Sequence, residues 1–453
     1  MRAPMFGIPA WAVGFAVISH GMAYAQNVGV DNTAHAGSNT PAFNFHGQST
    51  FIGQGAAPFR SPYEGENSLD PDGEARETWT VTLAAGLRLA EGSELYVNPE
   101  LFQGFGLSST HGVAGFVNGE AQKGGTEAPV GYIARLFFRQ TFGFGGEQED
   151  VKDEFNQLGG KRDISRATVT VGKLSVTDLF DDNTYAHDPR TTFFNWSLWE
   201  AGGFDYAADL KGYTYGIALD FNRKDWALRF GYFLVPVKSN VEKLDWDIFA
   251  RGQYVAELEQ RYNLFSQPGK LRWLGWLSRA NAGNYDESLA LSESTGADPN
   301  DTIVETRHTR TKFGFVIGAE QSLSDTLGIF ARLSWSDGRS EIMSFTDIDS
   351  SASIGLRLKG EAWGRPNDVI GIGGAINAIS EPHREWIGAG GLGLLIGDGK
   401  LNYSEERIFE TYYMLPLCDP VSLTLDYQFI DNPGYNADRG PVSVFAARLH
   451  GQF

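Results

Sequence analysis

Cysteine, basic charge and long apolar runs are all scarce in this chain of 453 residues. Its one cysteine, Cys418, excludes an intrachain disulfide framework, so packing and hydrogen bonds must stabilise the fold. No stretch beyond the N-terminal segment approaches 18 continuous apolar residues, which excludes a transmembrane helix there. The formal charge of −19 excludes nucleic acid as a partner, because nucleic acids select a basic surface.

Catalytic and metal-binding signatures are missing as well. The eight histidines are scattered, and neither G-x-S-x-G nor H-E-x-x-H occurs. The charged clusters contain no recognisable pair of nucleophile and base. We therefore expect no enzyme, no metal site and no cofactor; the enzyme alternative would be an outer-membrane lipase or protease.

Residues 1–25 have the pattern of a secretory signal peptide. Arg2 supplies a positive start, Phe6 to Ile18 is mostly apolar, and an A-x-A motif precedes a cleavage site between Ala25 and Gln26. We expect residues 26–42 to be a periplasmic N-terminal segment and residues 43–453 to form one domain.

Apolar and polar residues alternate with period two through most of that domain. From Trp79 to Leu89, for example, the apolar positions are separated by threonines, Gly86 and Arg88. Such alternation predicts strands with one apolar and one polar face. We find sixteen candidates, near 43–52, 77–89, 93–103, 130–142, 165–174, 212–222, 226–236, 253–264, 269–280, 309–321, 326–335, 351–360, 367–378, 405–415, 420–430 and 442–453.

The connections alternate in length, as those of an outer-membrane barrel do. Short turns lie at 90–92, 223–225, 265–268, 322–325, 361–366 and 416–419, and the connections between them are long. Residues 143–164 break the rule, since a short periplasmic turn is expected where a long segment rich in glycine and acidic residues occurs. The pattern predicts an all-β, 16-stranded antiparallel up-and-down transmembrane β-barrel.

A soluble β-sandwich also alternates, and the charges argue against it. Seven arginines fall on the polar faces of the strands, and each would cost roughly 2–4 kcal/mol if it faced lipid at the membrane centre. Together they would exceed the ~5–15 kcal/mol stability of an ordinary protein. We therefore place them on the wall of a lumen, facing water or partners: Arg88, Arg166, Arg229, Arg272, Arg332, Arg357 and Arg448.

Several segments resemble the carbohydrate-selective porins of the OprB type. The most specific one is GKLSVTDLFDDNTYAHDPRTTFFNW at 172–196, followed by GGFDYAADLKGYTYG at 202–216. The resemblance implies a 16-stranded barrel, a narrowed pore and passive uptake of sugars. The last strand ends at Phe453, which looks like the signal that the barrel assembly machinery reads. Other matching segments lie at 61–69, 98–121, 132–146 and 405–417.

The long loop after the fifth strand carries the groups that a sugar requires. Its acids, amides and arginine can bond hydroxyl groups, and its aromatic rings can cover the apolar face of a pyranose. We expect the loop to constrict the pore, with Arg135 and Arg139 pointing into the lumen opposite it. The candidate sugar-binding residues are Arg135, Arg139, Asp178, Asp181, Asp182, Asn183, Tyr185, Asp188, Arg190 and Trp196.

Three alternatives stay open from the sequence. The loop could pack on the barrel rim or between subunits, so that its aromatic residues serve packing. The channel could be a general or anion-preferring porin for small solutes and ions without sugar selectivity, as the wall arginines would favour. Finally, neither a monomer nor a homotrimer is favoured. We expect small sugars and outer-membrane lipids as its partners.

Overall fold

The computed structural model describes residues 41–345 and 347–453 of the chain. The predicted signal peptide, its cleavage site and residues 26–40 of the N-terminal segment lie outside them. Among the described residues, no helix is both long and apolar enough to cross a membrane.

Period-two alternation produces one closed antiparallel sheet of sixteen strands, which confirms the predicted barrel. Each strand pairs with its neighbours in the chain, and β1 pairs with β18 from Gln48↔Gln452 to Ala56↔Val444. The barrel strands are β1 Phe43–Ala56, β2 Glu74–Ala90, β3 Ser93–Gly104, β4 Thr126–Gly143, β7 Arg166–Leu174, β8 Thr214–Asn222, β9 Trp226–Phe233, β10 Gly252–Leu264, β11 Gln267–Ala282, β12 His308–Ser322, β13 Leu327–Ser336, β14 Ser350–Gly360, β15 Arg365–Ala378, β16 Glu406–Cys418, β17 Val421–Asp431 and β18 Val442–Gln452.

Two further strands lie in the connection whose length had no explanation. β5 Gln148–Val151 and β6 Gly160–Asp163 pair with each other and form a hairpin separate from the barrel sheet. We call residues 143–165 the exit hairpin, because they join β4 and β7 at the end of the barrel where the other connections are short turns. Short turns mark the periplasmic end of such barrels.

The alternate residues of each strand face opposite sides of the barrel wall. Leu219 and Leu425 lie on the outer surface, 37% and 52% exposed, where hydrocarbon would cover them. The inner positions are polar and mostly buried by loops that fold into the lumen. A closed barrel satisfies the backbone hydrogen bonds of every strand, which lipid requires.

Helices occur only in the connections, as far as the described residues go. Three of them meet above the extracellular mouth, where Tyr285 packs against Trp386 with ring centroids 5.1 Å apart. The α-helices are Trp196–Trp199, Tyr285–Thr295, Pro299–Glu305 and Glu381–Gly388; the 3₁₀ turns are Leu107–Ser109, Val176–Asp178, Glu361–Trp363 and Pro433–Tyr435.

Candidate functional site

The connection between β7 and β8 folds into the lumen instead of lying on the rim. We call residues 175–213 the inward loop. Its core is dry: Phe180, Phe193 and Phe194 are fully buried, and Phe193 packs edge-on against Phe330 of β13 and Tyr412 of β16. The loop therefore fills one side of the channel as a packed body.

Carboxylates on the barrel wall hold the backbone of the inward loop. Glu410 accepts hydrogen bonds from the backbone N–H groups of Phe194 and Asn195, at 2.6 and 2.9 Å. Glu257 accepts one from the N–H of Asp181 at 2.8 Å, and Glu320 accepts one from the N–H of Thr184 at 2.9 Å. These bonds satisfy loop amides that water cannot reach.

Wall arginines bind the carbonyl groups of the same loop. Arg332 donates to the carbonyl oxygens of Ala186 and Leu198, at 2.7 and 3.1 Å. Arg448 donates to those of Pro189 and Thr192, at 2.5 and 3.0 Å. Both arginines are almost fully buried, so they anchor the loop and do not line a water-filled wall.

The other five predicted wall arginines have different surroundings. Arg166 and Arg229 line the open cavity. Arg272 is buried between Glu259 and Glu320, with nitrogen–oxygen distances of 3.0 and 3.1 Å. Arg88 pairs with Glu94 at 3.2 Å, and Arg357 donates to the carbonyl of Thr184 at 3.4 Å.

A cavity of about 940 Å³ remains beside the inward loop. Its wall includes the loop, the facing strands, the connection between β3 and β4, and the tip of the exit hairpin. Its basic and acidic lining residues are equal in number: Arg135, Arg139, Arg162, Arg166, Arg190, Arg229, Lys123 and Lys211, against Glu100, Glu120, Glu154, Glu200, Asp178, Asp182, Asp188 and Asp220. The lumen is therefore strongly polar without a strong excess of one sign.

Five charged residues form a network on this wall, which we call the constriction cluster: Arg135, Asp178, Arg190, Glu100 and Glu120. Arg135 makes a two-pronged ion pair with Asp178, with Nε–Oδ2 2.7 Å and Nη2–Oδ1 2.6 Å. Arg190 bridges Glu100 at 3.2 Å and Glu120 at 2.9 Å. Burial alone would lower the pKa of Arg190, but the two glutamates raise it well above its usual value.

Asp182 adds a fixed negative charge to the cavity wall. Its Oδ2 lies 3.4 Å from Nη2 of Arg272. Burial would raise the pKa of Asp182, but the surrounding positive groups, chiefly His187 and Arg272, lower it to about 2. The group is an anion throughout the physiological range.

The predicted sugar-binding residues separate into two groups. Seven line the cavity: Arg135, Arg139, Asp178, Asp182, Asp188, Arg190 and Trp196. Asp181 is turned to the wall, where it pairs with Arg332 at 3.0 Å, and Asn183 accepts backbone hydrogen bonds from Tyr185 and Ala186. Tyr185 packs against Gly328 of β13. These three positions serve the loop's own structure.

Trp196 borders the cavity but is only 2% exposed. Phe116 stacks on it at 4.9 Å and Phe345 at 4.7 Å, with interplanar angles of 29° and 16°. Within the described part of the chain, Nε1 of Trp196 and Nε1 of Trp199 have no hydrogen-bond partner. Both N–H groups are buried, so they are not open to a solute in the cavity.

Sequence reasoning missed the residues that complete the constriction cluster. Tyr132 and Tyr213 both donate to Glu100, at 2.5 and 3.1 Å. Glu100 and Glu120 lie in the segment 98–121 that matched the porin family, which was the one available signal. Alternation counted from Arg135 would place Tyr132 on the outer face of β4. A bulge at Ala134 shifts the register of the strand, so Tyr132 faces the lumen instead.

Comparisons with known proteins agree with this architecture. The family described as carbohydrate-selective porin, OprB family, matches residues 66–453. The structure of Pseudomonas putida OprB is similar over 91% of this chain and 94% of its own, with 16% identity and a TM-score of 0.67. The outer-membrane channel DcaP of Acinetobacter baumannii is similar over 92% and 100%, with 10% identity and a TM-score of 0.50.

A search of curated proteins found no match to this chain. The family match covers most of the sequence, and the structural similarities show the same closed barrel. The chain therefore belongs to the carbohydrate-selective porins of the OprB family, and it is an outer-membrane β-barrel that lets sugars diffuse selectively.

Proposed function

We propose that small sugars cross this barrel through the 940 Å³ cavity and are selected at the constriction cluster. The observation that carries the proposal is the arrangement of Arg135, Arg190 and their carboxylate partners on one stretch of the cavity wall. Paired charges present donors and acceptors side by side, as a ring of hydroxyl groups requires. Because the charges are compensated, the site holds a neutral polyol weakly enough for it to leave.

The indole rings beside this site serve packing and do not bind the sugar. Trp196 is buried and packs against Phe116 and Phe345, so a pyranose cannot stack on its ring. The Nε1 atoms of Trp196 and Trp199 are buried as well, so the charged groups of the constriction cluster supply the contacts to sugar oxygens. Selection by polar contacts should favour short sugars, because the cluster is one compact site.

A liposome-swelling assay tests the proposal. The channel should admit glucose faster than a zwitterionic solute of equal size, and Arg190→Gln should reduce that preference by about tenfold, because a charge-assisted hydrogen bond is worth at least roughly 1.5 kcal/mol. Arg407→Gln is the matched control, since Arg407 is 55% exposed in its side chain and does not line the cavity. Equal rates for glucose and the zwitterion in the unmodified protein would refute sugar selection at this site.

We also propose that the barrel assembly machinery reads the C-terminal strand. β18 is an alternating apolar strand, and Phe453 directly follows it. The Phe453 ring lies on the outer side of the barrel, 6.1 Å from that of Phe45 on β1. Strand and ring are thus placed where the barrel closes, and the lipid-facing surface continues around them.

A further inference from the structure

The exit hairpin lies at the periplasmic end, where a turn of a few residues would suffice to connect β4 and β7. Its tip, residues 152–159, bends inward over the lumen and does not project into the periplasm. Leu158 is 3% exposed and packs with Tyr96 of β3 and Phe137 of β4, two inward side chains. The tip therefore has its own small apolar core inside the barrel.

Hydrogen bonds fix the tip to four neighbouring strands. Asn44 of β1 donates to the carbonyl oxygen of Gln157 at 2.9 Å, and Arg88 of β2 donates to that of Gly159 at 3.2 Å. The hydroxyl of Tyr96 accepts from the N–H of Leu158 at 3.0 Å. Arg139 of β4 donates to the carbonyl oxygen of Asn156 at 2.9 Å.

Ion pairs hold the base of the hairpin. Glu149 lies 2.9 Å from both Arg162 and Arg166. Glu147 pairs with Lys224 in the turn between β8 and β9 at 2.9 Å. With both its base and its tip attached, the segment is a fixed part of the periplasmic mouth.

The tip lines the same cavity as the constriction cluster. Glu154, Phe155, Asn156 and Gln157 border it together with Thr141, Thr168 and Gln452 of the barrel wall. The ring of Phe155 lies 5.5 Å from that of His46 on β1. The tip and the constriction cluster therefore border one continuous space inside the barrel.

We infer that the tip of the exit hairpin is a second constriction, placed in series with the inward loop, and that Phe155 narrows the periplasmic exit. Permeation then depends on two narrow sections, since pore diameter and lining groups set the flux through each. The inference is independent of sugar recognition, because ionic current alone reports it.

Chemical modification of single cysteines tests this inference in planar bilayers. In a Cys418→Ser background, which removes the exposed natural thiol, Phe155→Cys is treated with a charged methanethiosulfonate. Conductance should fall about twofold, since the added group occupies the narrow exit. Phe144→Cys is the matched control: Phe144 belongs to the same hairpin, is 53% exposed and does not line the cavity.

Complete modification of Phe155→Cys, shown by mass spectrometry, with unchanged conductance would overturn the inference. A second pair of variants needs no chemical modification. Phe155→Ala should raise conductance about 1.5-fold by widening the exit, and Phe144→Ala should leave conductance unchanged. An equal response of both alanine variants would also overturn it. Glucose preference should persist in all these variants, so a failure here is distinct from a failure at the constriction cluster.

Discussion

Trp196 has a ring on which a sugar could stack, but the side chain is buried against Phe116 and Phe345 and serves the packing of the inward loop. The same separation of residue type and role holds for Asp181, which pairs with buried Arg332. Strand parity predicts which side of the wall a residue faces. It cannot predict whether water or a folded loop meets that residue, because the loop contacts come from distant positions in the chain.

Lys123 carries a prediction at this scale. Its Nζ lies 4.4 Å from the ring centroid of Phe345 and has no hydrogen-bond partner within the described residues. Burial lowers the pKa of Lys123 to about 7, although Asp205, Asp347 and Asp209 act in the opposite direction. As the pH rises through 7, the ammonium loses its proton and the lumen loses about one positive charge.

Reversal potentials in a salt gradient at pH 6 and pH 8 check this behaviour. The unmodified channel should become more selective for cations at pH 8. Lys123→Arg should remove that component of the shift, because a guanidinium stays charged over the whole range. A pH response of equal size in the arginine variant would show that another group titrates.

At the scale of single elements, the barrel strands and the entry of the long loop into the lumen followed from the sequence, whereas the exit hairpin and the bulge in β4 did not. Each strand carries its own period-two pattern, so all sixteen could be located within a few residues. The bulge at Ala134 has no comparable signal: Asn98 pairs with Arg135 and Pro99 with Ile133, which leaves one residue unpaired. That shift brings both Tyr132 and Arg135 to the lumen side.

The inward loop is held by acceptors on the strands, and Glu410 gives a direct test. Glu410→Ala removes the acceptor of two buried N–H groups, each worth roughly 1–3 kcal/mol when left unsatisfied. The loop should then be cleaved faster by protease while the barrel stays folded, and Glu410→Gln, which keeps an acceptor oxygen, should show a smaller effect. Glu381→Ala is the control, since that side chain is 71% exposed. Unchanged cleavage in Glu410→Ala would exclude an anchoring role.

At the scale of the whole molecule, closure joins the first strand to the last. The N–H of Phe453 donates to the carbonyl of Gly47 at 2.9 Å, and the N–H of Gly47 donates in return at 3.2 Å. The alternation of short and long connections predicted this up-and-down order, because hairpin-linked strands pair in sequence. The inward loop depends on closure, since its contacts come from both halves of the barrel, from Glu100 of β3 as well as from Glu410 of β16.

Gly47→Val tests how tightly that closure is packed. A Cβ at Gly47 would lie 2.6 Å from the Phe453 ring, so overpacking should cost about 1–3 kcal/mol and lower the temperature at which the folded band disappears in heat-modifiability gels. Gly53→Val is the control on the same strand, where a Cβ would meet only the Phe51 ring at 4.0 Å. Equal loss in both variants would point to a general effect of valine in β1.

The anchoring of the inward loop also limits how this channel can diverge or be redesigned. Its backbone partners are spread over β10, β12, β13, β16 and β18, on residues such as Glu257, Glu320, Arg332, Glu410 and Arg448. A graft of residues 175–213 into another barrel would arrive without these partners and would leave buried amides and carbonyls unpaired. Swapping selectivity between porins of this kind therefore means transplanting the inner surface of half a barrel together with the loop.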